Sequence, residues 1–333
     1  MPNGILWPAL FQGNEDNIRK VLYGSWLIRD WNYSTTSLTG FSPFGTDGNL
    51  SSTLFSSSNP GGQWYDLGYM DDKGPEFTPK LTMKPTTVMQ SRWPARYDFT
   101  DQTEEISATI MESNPVLDAI YDSRPLSSLQ AVGTPGYSSA VQVDTDLIWR
   151  QCLFIGVDGK GGQNYYIVRV YPKVLIGDFG KTSWNINEAA TVQVKGMAVP
   201  DPWSTPPVGD VGSPRWIMRD GPAWRAQGES NFAVTAPVAA AVTGLKATLT
   251  FATPYGFTTP VSYTVQKQLT SGGSFSAATV QAAAGVASGS NTVVTVTGLT
   301  ASTAYNAFTV TATDASSVSV TSAVSNSITS TAS

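Results

Sequence analysis

Histidine is missing from this chain of 333 residues, and cysteine occurs once, as Cys152. Without imidazole the chain lacks the commonest general base, the usual nitrogen ligand for metals and any Ser-His-Asp arrangement, so most hydrolase templates fail together. A lone cysteine excludes an internal disulfide; within the apolar stretch 147–157 it reads as an inert, buried thiol on a strand. No run reaches the ~18–20 apolar residues of a membrane span. Residues 1–20 lack a basic patch followed by an apolar core, which predicts a soluble chain made in the cytoplasm. Cations are also scarce: 20 Lys and Arg against 25 Asp and Glu give a net charge of −5. Tight binding to nucleic acid or an anionic membrane needs clustered Lys and Arg, and no such footprint is present.

Two further absences divide the chain. All ten tryptophans lie at or before Trp224, and the only charged residues after Glu229 are Lys246, Lys267 and Asp314. A single folding unit seldom confines its large aromatics and its ionic groups to one part, so two domains are expected, 1–230 and 231–333.

In the second part short apolar stretches at 245–251, 261–269, 292–296, 305–313 and 318–328 alternate with Gly, Ser, Thr and Pro, the spacing of a small antiparallel β-sandwich. The segment 298–305, Gly-Leu-Thr-Ala-Ser-Thr-Ala-Tyr, followed by Phe308, Val310 and Ala312, resembles strand F of fibronectin type III and related immunoglobulin-like domains. Leu299 and Tyr305 fall at that family's spacing, and Phe251 stands where such domains often carry a core Trp. Simple alternation from Tyr305 would place apolar groups at 307, 309 and 311, so a β-bulge is expected near Asn306-Ala307. A hydroxyl-rich surface nearly bare of charge suits a spacer or decoration, with weak glycan adhesion as the functional alternative.

The first part also reads mainly as strands. Stretches 62–70 and 74–79 flank Asp71-Asp72-Lys73-Gly74, a polar turn that suggests a hairpin. Stretches 86–98 and 104–112 are extended and meet at 99–103, with Ile106, Ala108 and Ile110 alternating against polar neighbours. Asn114 can cap a helix, Pro115 suits its first position, and Val116, Leu117, Ile120 and Tyr121 share a side, which predicts the main helix of this part. Strands follow at 147–157, 165–176 and 191–199, before a coil rich in Pro and Trp. Residues 33–62 are almost all small, hydroxylic or aromatic, with Asp47 the single charge. Such a segment suits an arm ordered by a partner, with Leu38, Phe41, Phe44, Leu50 and Phe55 as candidate inter-subunit residues.

No motif for chemistry survives inspection. The glycine-rich stretch 156–162 sits between two strands with no helix to follow, and Gly180-Lys181-Thr182 has Leu175 where a phosphate loop needs Gly. Asp71-Asp72, Glu104-Glu105 and Asp144 with Asp146 are the tight carboxylate groups, each read as lying in or beside a turn or on a solvent-facing edge. Catalytic, cofactor and metal residues are therefore predicted to be none, and the chain is expected not to be an enzyme.

The body resembles the major tail protein, or tail tube protein, of long non-contractile-tailed bacteriophages of actinobacteria. The resemblance rests on the order of several segments: Trp64-Tyr65-Asp66-Leu67-Gly68-Tyr69, Asp72 to Pro79, Glu104 to Thr109, Glu112 to Tyr121, 165–174, 188–194 and Pro222-Ala223-Trp224. It covers roughly 60–225, and an immunoglobulin-like C-terminal domain is a frequent appendage in that family. It implies an all-β fold: a sandwich or barrel body with one short helix, six copies of which close into a ring by pairing sheets, with rings stacking into a tube. It implies a virion location, partners in the tape-measure, tail terminator and distal tail proteins, no cofactor, and DNA passing through the lumen without specific binding. An acidic subunit fits such a conduit, because carboxylates repel phosphates. The rival reading is a carbohydrate-binding or carbohydrate-active protein with an appended fibronectin type III module; a third is a capsid or head-tail joining component.

Overall fold

The computed structural model describes residues 18–32, 35–59, 61–143, 147–159, 163–182, 186, 189–281, 285–288 and 291–331. The protein is mainly β, with two short α-helices. The described residues divide into two compact units, one made of those within Met1–Pro43, Leu50–Lys160 and Tyr166–Arg219, the other of those within Phe44–Asn49, Gly161–Tyr165 and Asp220–Ser333.

Among its described residues the first unit is built on one sheet. Its strands are β1 (Tyr23–Asp30), β2 (Tyr65–Asp66), β3 (Glu76–Thr86), β4 (Arg96–Ile110), β5 (Trp149–Asp158), β6 (Tyr165–Phe179), β7 (Val192–Ala198) and β8 (Trp216–Asp220). The order is β2-β1-β5-β6-β7-β4-β3, with β8 paired to β6. Strand β1 runs antiparallel to β5, from Tyr23 opposite Val157 to Asp30 opposite Arg150. Both strands carry consecutive buried residues, Trp26 to Arg29 and Arg150 to Ile155, so this part of the sheet is covered on both faces.

One face holds the main core: Trp26, Ile28, Cys152, Phe154, Tyr171 and Val194 pack with Ile106 and Ile110 of β4. Helix α1 (Pro115–Tyr121) closes it with Leu117 and Ile120, and forms where expected: the Asn114 side chain accepts from the Leu117 N–H at 2.9 Å and Pro115 starts the helix.

The other face explains much of residues 35–43, 50–59 and 61–64. Arg29 projects from β1 on the side opposite Trp26 and Ile28, donates to Gln151 Oε1 at 2.7 Å, and lies 4.4 Å from the Trp64 ring centroid. Gln151 Nε2 donates to the Thr36 carbonyl at 2.8 Å, and the Leu38 N–H donates to Ser204 Oγ at 3.0 Å. A short 3₁₀ turn, Ser52–Phe55, buries Leu54, whose carbonyl takes the Trp64 N–H at 2.9 Å. The segment read as a structureless arm is thus largely folded onto its own chain, because its backbone polar groups find partners there. Of the five arm candidates, Leu38 is buried within its own chain, Phe41, Phe44 and Leu50 are half-buried, and Phe55 is exposed.

Three other expectations change. The turn at 71–74 exists, with the Gly74 N–H donating to the Asp71 carbonyl at 3.1 Å, but the strands beside it do not pair with each other: β2 joins β1 and β3 joins β4. Residues 99–103 are not a junction but the middle of β4, and the turn lies at 87–95. The Pro- and Trp-rich coil contains β8, and a second helix follows it.

The second unit begins its longest segment with α2 (Pro222–Val234), then β9 (Val238–Val242), β10 (Lys246–Ala252), β11 (Ser262–Gln268), β12 (Ser276–Val280), β13 (Val286–Ser288), β14 (Asn291–Thr297), β15 (Ala304–Tyr305), β16 (Ala307–Thr313), β17 (Ser319–Thr321) and β18 (Ile328–Thr329). The order is β17-β16-β11-β12-β14-β10-β9, β13 pairs with β14, and β15 with β18. Leu249, Val294 and Val296 from one set of strands meet Val265, Phe308 and Val310 from the other in a single core. Asn306 stands between β15 and β16, its N–H and side-chain amide both bonded to Gln268 at 2.8 Å. That interruption puts Tyr305, Phe308, Val310 and Ala312 all inside. The Tyr305 hydroxyl accepts the Thr300 N–H at 2.9 Å, a tie from the strand to the turn before it. Phe251 packs against Phe232 of α2 and Tyr263.

Among the described residues no helix is long and apolar enough to cross a membrane.

Candidate assembly surface

Strand β4 is longer than the neighbour on its inner side. Pairing of β4 with β7 ends at Glu104 opposite Ala198, whereas pairing of β3 with β4 continues from Lys80 opposite Thr103 out to Thr86 opposite Arg96. Residues 80–103 therefore form a two-stranded ribbon overhanging the sheet by about 20 Å, at ~3.3 Å per residue. A free ribbon of two strands is marginal by itself in water.

The ribbon has two unlike faces. Cross-strand partners share a side, so Leu81 lies beside Gln102, Met83 beside Phe99 and Pro85 beside Tyr97. This apolar side continues the face that carries Phe77 and the buried Ile106 into the core. The other side carries Lys80, Lys84, Arg96 and Asp98, the last two joined at 2.6 Å. In the tip loop the Ser91 hydroxyl accepts the Trp93 N–H at 3.1 Å, and Met89 and Trp93 stand in solvent. Trp93 is 80% exposed, Phe99 70% and Tyr97 60%. Aromatic side chains of about 150–250 Å² each, uncovered to that degree and joined by Leu81, Met83 and Met89, exceed what scattered surface residues present. The ribbon alone approaches the ~300–600 Å² of the largest apolar patch on a typical monomer.

The outer edge of β3 is unpaired among the described strands, yet it carries Pro79 and Pro85. Neither has an N–H to offer another strand, so this edge is blunted against strand addition and the apolar face is the more available surface.

The root of the ribbon is fixed by charge. Glu104, buried on β4, accepts the Tyr171 hydroxyl at 2.8 Å and the Arg215 Nε–H, with Arg169 at 3.8 Å. Burial first and then Glu104 push the Tyr171 phenol above its ordinary range. Arg169 lies 4.2 Å from the Phe77 ring centroid, and Phe77 meets Phe154 edge-on at 5.0 Å. Glu104 was read from sequence as solvent-facing; it is instead the buried anchor of this network. Asp71 and Asp72 do lie at a turn, Glu105 is exposed, and Asp144 and Asp146 lie outside the described residues, as do 160–162 of the glycine-rich stretch.

Beside the root is an open groove of ≈ 660 Å³. Its floor is low because Gly24 and Gly156 face each other across the β1–β5 ladder and neither contributes a side chain. Val21, Met70, Phe77, Phe154 and Ile167 supply apolar walls. The lining also holds four carboxylates, Asp66, Asp71, Asp72 and Glu112, against Lys73 and Arg169, a net of −2. Asp66 accepts Ser25 and the Gly68 N–H at 3.1 Å, and Glu112 accepts the Tyr69 N–H at 3.1 Å. Gly68 has φ +95°, and a Cβ there would sit 2.6 Å from the Glu112 carboxylate, so the wall requires glycine.

No protein-family model matches this chain, and no curated protein does either. Among the described residues no group of three or more His, Cys, Asp or Glu is placed to hold a metal. Sequence reasoning missed both the ribbon and the groove. Its one usable signal was the uninterrupted extended character of 76–86 and 96–103 around a tip rich in exposed apolar residues.

Proposed function

We propose that the chain is a structural virion protein, the subunit of the tail tube of a long non-contractile-tailed bacteriophage. On this reading copies associate into sixfold rings that stack into a hollow tube, capped and measured by terminator, distal tail and tape-measure proteins, with DNA passing through without specific binding. The second unit, read as an immunoglobulin-like domain, decorates the outside. The observation that carries the proposal is the overhanging ribbon: an amphipathic extension whose apolar side continues the core face needs cover that its own first unit does not supply. A net charge of −5 further suits a conduit for polyphosphate. A repeated head-to-tail contact between copies closes into a ring or continues as a filament, which is the geometry a tube demands.

The test is negative-stain electron microscopy of the purified protein across a concentration series, with and without a tape-measure protein. Rings or tubes of uniform diameter are expected; monomers at every concentration would overturn the reading.

A further inference from the structure

We propose that the tip of the β3–β4 ribbon of one copy docks in the glycine-floored groove at the ribbon root of the next copy. This rests on the tail tube reading and names the contact that builds it.

Three observations converge. First, the two surfaces are complementary in charge. The ribbon, residues 80–103, contains Lys80, Lys84, Arg92 and Arg96 against Asp98 and Asp101, a local charge of +2 in a chain of net −5, whereas the groove lining has a net of −2. Charges of opposite sign on the two partners steer encounter and fix register. Second, the surfaces are complementary in character: an apolar tip with Met89 and Trp93 almost wholly exposed, and a cavity with apolar walls large enough for bulky side chains. Large aromatics seated in desolvated pockets are the usual anchors of interfaces. Third, the groove sits where the same chain's ribbon cannot reach. Gly74, Pro75 and Phe77, which line it, lead directly into β3, while the tip lies some 20 Å away along the strands. The occupant must come from another molecule, and tip-to-root contact is heterologous, so each copy offers one free tip and one free groove. The prolines on the β3 edge make docking of the tip the better alternative to edge-to-edge pairing.

Charge exchange tests this. One variant carries Lys84→Glu near the end of β3 and Arg92→Glu on the tip; a second carries Asp71→Lys and Asp72→Lys in the groove lining. Assembly of each full-length chain alone is followed by analytical ultracentrifugation and electron microscopy, with circular dichroism to check folding. Each variant alone is expected to need at least a tenfold higher concentration than the unaltered protein to assemble. Their equimolar mixture is expected to assemble within a few-fold of the unaltered protein, since acidic tips then meet basic grooves and the reverse. Rescue by mixing cannot come from two misfolded chains. If either variant alone assembles like the unaltered protein, or the mixture does not recover, the docking is overturned while tubes of the unaltered protein would leave the tail tube reading intact. If the unaltered protein forms oligomers with this charge dependence but never rings or tubes, the docking stands and the tail tube reading falls. A protein that stays monomeric throughout overturns both.

Discussion

At Cys152 burial pushes the thiol up to about 12 from the ordinary 9.0. A raised folded value means that this group's contribution to stability is complete below about pH 9 and is lost as pH rises towards 12, where the unfolded chain ionises first. Native protein at pH 8 should therefore resist a thiol reagent, and labelling should begin only as urea unfolds the first unit; rapid labelling without denaturant would refute the burial. Tyr305 acts at the same scale in the second unit. Replacing it with Phe keeps the ring in the core but strands the Thr300 N–H, and should cost about 1 kcal/mol. Equilibrium denaturation followed by a probe in the second unit checks this, and an unchanged midpoint would remove the hydroxyl from the account. Arg29 completes the picture: burial lowers its guanidinium to about 10, and its contacts with Gln151 and Trp64 help hold the neighbouring stretches 35–43 and 61–64 on their own chain.

Among the elements, the ribbon depends on its root. Glu104→Gln keeps the size of the side chain but removes the charge that Arg215 and Tyr171 address, and should lower stability of the first unit by about 1–3 kcal/mol. Chemical denaturation measures it, and a change within error would mean the ribbon is anchored by packing alone. In α2, Gly228 lies so close to the loop after β10 that a Cβ would sit 2.3 Å from the Tyr255 carbonyl oxygen. Gly228→Ala should destabilise the second unit by about 1–3 kcal/mol despite the better helix propensity of Ala. The same glycine hid the helix from the sequence: without a clear apolar stripe, only Gly221-Pro222 signalled a start. Helix α1 was legible because capping is local, with Asn114 and Pro115 adjacent. The strands at 245–251, 261–269 and 292–296 were legible because their alternation is local too. The hairpin was misplaced because Asp71 to Gly74 makes a genuine turn, whereas the real tip at 87–95 has no glycine at all. The groove was invisible because Gly24 and Gly156 meet only through strand register across more than a hundred residues.

For the whole molecule, the boundary of the second unit matters. Phe232 is in its core, and the unit's longest segment starts at Asp220, so a cut at 231 would leave most of α2 without the strands it packs on. Under the tail tube reading, a chain ending at Arg219 should still form tubes of the same inner diameter with a thinner outer contour in electron microscopy; loss of tubes would give the second unit a part in assembly. The long-range pairing of β1 with β5 and of β4 with β7 also favours slow folding, since loops must close before those ladders form. Phe44–Asn49 belongs to the second unit although the bulk of that unit is encoded at the far end of the chain. Within it, the Arg225 guanidinium clasps Asp220 and donates to the Thr46 carbonyl at 2.8 Å. During translation those six residues emerge roughly 10–30 s before Arg225, at about 5–20 residues per second. A gene exchange that replaced only the 3′ portion of the reading frame would leave that early loop without its arginine, so the two stretches are expected to be inherited as a pair.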